Sequence, residues 1–256
     1  MLIAAAVVPG PPAFVAELMG SAAPELDELR HAADSAISRA VSDLVAASSD
    51  SSLPGSASAQ LVIVGPGQPG EFNAAGPVSF GTFGRDLEVP ALAEGAKADP
   101  ELPTPLMVAR YLAGRDVGAH PDHTDLWARA RWITTSGADS AALGQRLHED
   151  DTRMAMIVVA DGALCHGPKA PRAEDSRAPA YDDEVCEVLA SGQLDRLARI
   201  DVDLGHELGA SGPQVWPALF TAAGGEGMGE LLWRGAPYGV GWAVATWRPA
   251  PEATRP

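Results

Sequence analysis

The sequence predicts an α/β domain with a central mixed sheet flanked by helices, on three observations. Short continuous apolar runs recur, segments of helical period separate them, and two apolar runs close the chain around a tight Pro-Tyr-Gly turn. The run Leu2–Val8 reads as a strand buried on both faces, and Pro9, Gly10, Pro11 and Pro12 stop it because proline cannot join a ladder. Across residues 22–47, Leu26, Leu29, Ala33, Ile37, Ala40, Val41 and Leu44 recur at steps of three and four, which predicts an amphipathic helix with Pro24 in its first turn. A Ser-rich loop over 48–59 then leads to a second buried strand at 61–64.

Residues 65–105 are rich in Gly and Pro and show little period beyond a short strand at 78–83. Further on, the pattern predicts helices over 105–113, 139–147, 182–190 and 213–223, a short strand at 132–135 and a strongly buried one at 154–160. Runs at 231–234 and 240–247 form the closing hairpin. One domain is expected over 1–248, followed by a disordered Pro-rich tail over 249–256.

Composition narrows the function classes. With 18 Lys plus Arg against 34 Asp plus Glu, the formal charge of -16 repels a phosphate backbone, so nucleic acid is not expected as a partner. The first apolar run lacks a basic flank and is broken by prolines, which fits neither a signal peptide nor a membrane span, and Cys165 and Cys186 read as free thiols. A cytoplasmic protein without membrane contact is expected. A homo-oligomer is left open.

Several motifs carry little chemistry. Residues 65–70, which include Gly65 and Gly67, match a dinucleotide fingerprint after a strand, but Pro69 and Pro77 deny the following helix that would receive a phosphate. The Gly-rich stretch 224–229 lacks the Lys and Ser/Thr of a phosphate loop and reads as a loop. His120-Pro-Asp-His123 offers two imidazoles and a carboxylate for a metal, in what otherwise reads as a solvated turn. His31 and His148 sit among charged residues on helix faces. The segment Asp161-Gly-Ala-Leu-Cys165-His166 is more informative, because it follows a buried strand, where α/β sheets build their sites. His166 is therefore a candidate acid/base, Asp161 a candidate partner, and Cys165 a soft ligand or a packing residue. Arg172 and Arg177 follow in a Pro-rich loop and are candidates to attract an anionic carboxylate.

Four stretches together resemble the catalytic-subunit superfamily of class III extradiol ring-cleavage dioxygenases, particularly its short actinobacterial members of unassigned function. They are the first strand with Val8-Pro-Gly-Pro-Pro12, the second strand ending at Gly65-Pro-Gly67, the segment 159–166 with Asp182 downstream, and the closing segment 237–247. The resemblance implies an α/β sandwich around a mixed sheet, with Fe(II) held at strand ends by two histidines and a glutamate. The first family histidine falls on Gly10 and the second on the turn holding Gly65 and Gly67, neither of which offers a donor side chain; Glu207 lies near the region of the family glutamate. His166 matches the family's proton-shuttling histidine, and Gly10, Pro11, Gly65, Gly67 and Cys165 would line its pocket. The expectation is thus a scaffold with a degenerate iron site and no cofactor, retained to bind a small molecule or a protein. The alternative is an active Fe(II)-dependent ring-cleavage dioxygenase or related enzyme with rearranged ligands, for which His120, His123 and Glu207 are the substitutes. A metal-free enzyme using His166 with Asp161 is a third reading.

Overall fold

The computed structural model describes residues 1–49 and 59–251. The elements in chain order are β1 (Leu2–Val8), α1 (Ala16–Met19), α2 (Asp27–Ser49), β2 (Ala59–Pro66), β3 (Gly70–Phe72), β4 (Val78–Ser79), β5 (Glu88–Val89) and α3 (Thr104–Ala119). They continue with α4 (Thr124–Ala128), β6 (Arg131–Thr135), α5 (Gly137–Glu149), β7 (Arg153–Val159), α6 (Ala178–Ser191), α7 (Val202–Leu208), α8 (Gly212–Ala223), β8 (Gly227–Gly235) and β9 (Trp242–Pro249). Seven strands form a mixed sheet in the order β3-β6-β2-β7-β1-β9-β8, while β4 and β5 make a separate ribbon. The four runs at 2–8, 61–64, 154–160 and 240–247 thus contribute to one sheet, as their patterns predicted.

Strands β6, β2, β7 and β1 are mutually parallel, and β3, β9 and β8 are antiparallel additions. Ala4, Ala6 and Val8 of β1 pack on one face with α2 and α3, and Leu2, Ala5 and Val7 pack on the other with α5, α6 and α8. Burial on both faces is why these strands are continuously apolar. The connections leaving β1 and β2 run to the α2/α3 face, whereas those leaving β6 and β7 run to the other. Because β7 lies between β2 and β1, the crossover changes face beside it, and its carboxyl end is a switch point of the kind at which α/β sheets hold ligands.

Several boundaries differ from the sequence pattern for local reasons. The expected helix over 22–47 splits: Pro24 lies inside a 3₁₀ stretch, Gly20–Leu26, and the α-helix starts at Asp27. The strand expected over 78–83 ends at Ser79, and residues 81–83 form a 3₁₀ turn closed by Gly84 at φ +77°. The stretch 224–229 is not one loop, because Gly224 ends α8 and Gly227 to Gly229 begin β8. Pro249 closes β9 rather than opening a tail. Most of the expected loop at 48–59 and of the tail, residues 50–58 and 252–256, lie outside the described residues. No helix among the described residues is long and apolar enough to cross a membrane.

Candidate functional site

The site begins with the backbone that follows β7. The N–H of Asp161 donates to Ser211 Oγ at 2.8 Å, and the Asp161 carbonyl accepts from Ser211 and Gly212 at the start of α8. Gly162 donates to Gly241 O, Gly241 to Ala163 O and His166 to Gly239 O, so a short ladder ties the segment to the chain entering β9. A loop held on both sides in this way gives its side chains fixed directions.

Those side chains converge on a cavity of about 260 Å³ whose walls include Asp161, His166, Tyr181, Asp182, Trp216 and Trp242. At its edge Nε2 of His166 lies 2.6 Å from Oδ2 of Asp182, and both side chains are 15% exposed. The carboxylate accepts the Nε2 proton, and a neutral imidazole in this tautomer keeps Nδ1 as an acceptor. Asp182 also accepts from the Ala163 N–H at 3.0 Å. Burial raises the pKa of Asp182 from its ordinary value, against the opposing pull of the His166 and Ala163 hydrogen bonds.

Two glycines make this pair possible. A Cβ on Gly241 would stand 1.7 Å from Asp182 Oδ2 and 3.2 Å from His166 Nε2, and one on Gly162 would stand 2.4 Å from Asp182 Oδ1. Both positions must lack a side chain for the carboxylate to occupy its place.

Asp161 is the second titrating group. Desolvation pushes its carboxyl up to about 6, opposed by the Gly10 N–H, which donates to Oδ1 at 3.2 Å, and by the neighbouring Trp242 indole. The Trp242 Nε1 nevertheless makes no well-formed hydrogen bond, and the buried Trp216 Nε1 and Tyr181 hydroxyl are also without partners. Cys186 borders the cavity as a thiol whose pKa burial raises to about 11. At the rim Arg234 pairs with Asp183 at 2.8 Å. The arrangement provides an oriented imidazole, a carboxyl group whose pKa is raised to about 6 and walls that are largely aromatic and aliphatic, a combination suited to proton exchange with a small molecule that has an apolar body and a polar end.

The structure brings Asp161 and His166 together and separates most other candidates from them. Gly10 touches Asp161 from behind but does not line the cavity. Pro11 instead accepts the Phe14 N–H of the turn after β1. Gly65 packs on Pro105 and Leu106, and Gly67 on Thr134, on the far side of β7 from the cavity. These three glycines therefore do not form the pocket expected of them, because neighbouring side chains fill the space beside each. Cys165 is buried with Sγ 3.5 Å from the Leu208 carbonyl, also outside the cavity wall. Glu207 is exposed and pairs with Arg177 at 2.9 Å, while Arg172 bonds to the His206 and Glu207 carbonyls, so neither arginine reaches the cavity as a free cation. His120 and His123 lie at the end of α3, packed against α2.

These positions do not assemble a facial iron triad. At Gly10 a Cβ would stand 2.5 Å from Val159 Cγ1, at Gly65 it would stand 3.2 Å from Leu106 Cδ2, and the Glu207 carboxylate is engaged at the surface. Neither strand end supplies the imidazole donor that such a site requires.

Asp182, Gly241 and Trp242 fall in stretches that carry the resemblance, but none of the three is expected from the sequence as a site residue. One signal was available for Asp182: it falls among Ala178, Tyr181, Val185, Cys186 and Leu189, on the buried stripe of α6, where a carboxylate needs a partner. No local pattern marks Gly241, whose role depends on side chains more than 50 residues away.

No protein-family model matches the sequence, and no curated protein does. Among solved structures, the uncharacterized protein JW3007 from Escherichia coli K12 aligns over 96% of this chain and 99% of that one, with 11% sequence identity and a TM-score of 0.43. A likeness of that degree carries no argument about function.

Proposed function

We propose that this chain is a small-molecule-binding protein on an extradiol-dioxygenase-like scaffold whose iron site has degenerated. The binding site is the cavity at the carboxyl end of β7. The observation that carries the reading is the His166–Asp182 pair, held at 2.6 Å on the wall of a largely apolar cavity between two glycines that admit no side chain. His166 exchanges a proton through Nδ1, Asp182 fixes its tautomer and orientation, and Asp161 supplies or accepts a second proton near neutral pH. The ligand is a compact organic molecule with an apolar body and at least one hydrogen-bonding end, because Trp216, Trp242 and Tyr181 surround a cavity of only about 260 Å³.

Ligand-observed NMR screening of aromatic and heterocyclic fragments tests the reading. Fragments should bind wild-type protein, and His166→Gln should weaken them while leaving the thermal unfolding profile intact. Fragment binding that is indifferent to His166→Gln would contradict the site. Anaerobic reconstitution with Fe(II), followed by addition of catechol and O₂, tests the scaffold's chemistry separately. The expected outcome is no stoichiometric iron at the strand ends and no opening of catechol; ring cleavage would establish an active oxygenase with rearranged ligands instead.

A further inference from the structure

We infer that His120, Asp122 and His123 form a site for a zinc-class divalent cation on the α2/α3 face, on the opposite side of the sheet from the cavity. These three residues bring one ligand atom each within 4.8 Å of the others, and they are the one cluster of this kind among the described residues. Imidazole and carboxylate donors suit zinc and its neighbours, which take three protein ligands and complete a tetrahedral site with water.

The second, independent observation is what stands behind His123. Its Nδ1 lies 2.8 Å from Oδ2 of Asp116, which also accepts from Trp127 Nε1 at 2.7 Å. Asp116 is only 6% exposed, and its Oδ1 is buried with no hydrogen-bond partner. A buried carboxylate that fixes one ring nitrogen of a histidine is the usual outer support of a metal ligand: it sets the tautomer and presents the other nitrogen as a lone pair. Here that nitrogen, Nε2, faces only the Ser42 hydroxyl at the long distance of 3.4 Å.

The surrounding geometry is permissive. The His120 and His123 rings stack with centroids 4.9 Å apart, and His120 caps the carboxyl end of the 16-residue α3, where the helix dipole favours positive charge. Drawing the three donors in to the ~3.3 Å spacing of a tetrahedral zinc site needs rotation of Asp122, which is exposed, and of His120, which is half-buried. His120 would exchange its 2.9 Å contact with Ser38 Oγ for the metal. Arg115, which lines the same surface hollow as His120, is engaged by Asp34.

Isothermal titration of the chelator-treated full chain with Zn²⁺ tests the site, with the visible spectrum of Co²⁺ as a report on its ligands. The expected result is one saturable site per chain and a Co²⁺ spectrum of tetrahedral nitrogen and oxygen ligation. His120→Gln and Asp122→Ala should each weaken binding by about tenfold or more without changing the unfolding temperature. The exposed His31→Gln should leave it unchanged. No saturable binding overturns the inference, as does binding that survives both ligand variants or falls equally with His31→Gln.

Discussion

Asp161 links an unusual local environment to a measurable property of the folded state. Its carboxyl pKa rises from the ordinary 3.8 to about 6, chiefly through desolvation, so between those values the native protein holds a proton that the unfolded chain has released. The stability contributed by the neutral carboxyl is therefore fully present below about pH 4 and is lost as pH rises through about 6. Asp161→Asn keeps an acceptor for the Gly10 N–H and removes the titration. It should raise stability at pH 7 to 8 by roughly 1 to 2 kcal/mol relative to wild type and change it little at pH 4, in denaturant titrations at the two pH values. An equal effect at both pH values would show that desolvation of Asp161 is not the cause. At Gly241 the argument is steric. Gly241→Ala places a carbon 1.7 Å from Asp182 Oδ2 and should break the His166–Asp182 hydrogen bond, seen as loss of the His166 Nε2 proton resonance by NMR. Persistence of that resonance would refute the claim that the glycine makes room for the pair.

Elements were legible in proportion to how local their causes are. Strands β1, β2 and β7 are apolar on both faces and announce themselves as continuous runs, and α5 and α8 carry a clear stripe. The middle segment was opaque because distant residues hold it. Arg110 of α3, fully buried, donates from Nε to Ala74 O at 2.8 Å and from a terminal nitrogen to Pro90 O, while desolvation lowers its pKa to about 10. No period in a Gly- and Pro-rich stretch encodes such an anchor. Arg110→Met should leave both loop carbonyls without their donor and cost about 2 to 4 kcal/mol. Limited proteolysis should then cut within residues 73–103 before the rest of the chain, and a cleavage pattern identical to wild type would show that the anchor is dispensable.

For the whole molecule, topology concentrates chemistry at one end of the sheet. The change of face beside β7 opens a gap at its carboxyl end, and Asp161 and His166, expected there from their place after a buried strand, both line the cavity. Asp182, the partner of His166, arrives from α6, and Gly241 and Trp242 arrive at the entry to β9, contributions that depend on chain crossings rather than on spacing. The glycines expected at the pocket, Gly10, Gly65 and Gly67, lie at the ends of β1 and β2, where Val159, Leu106 and Thr134 close over them. On the proposed reading, His166 is the proton-handling contact for a molecule bound in this cavity. Its most direct test is the ¹⁵N spectrum of the six histidines, with the His166 imidazole assigned through His166→Gln, recorded against pH with and without a bound fragment. A bound fragment should move the His166 Nδ1 resonance and its titration midpoint while the other five histidines stay in place. A His166 titration that is unchanged by a fragment bound at saturation would contradict it.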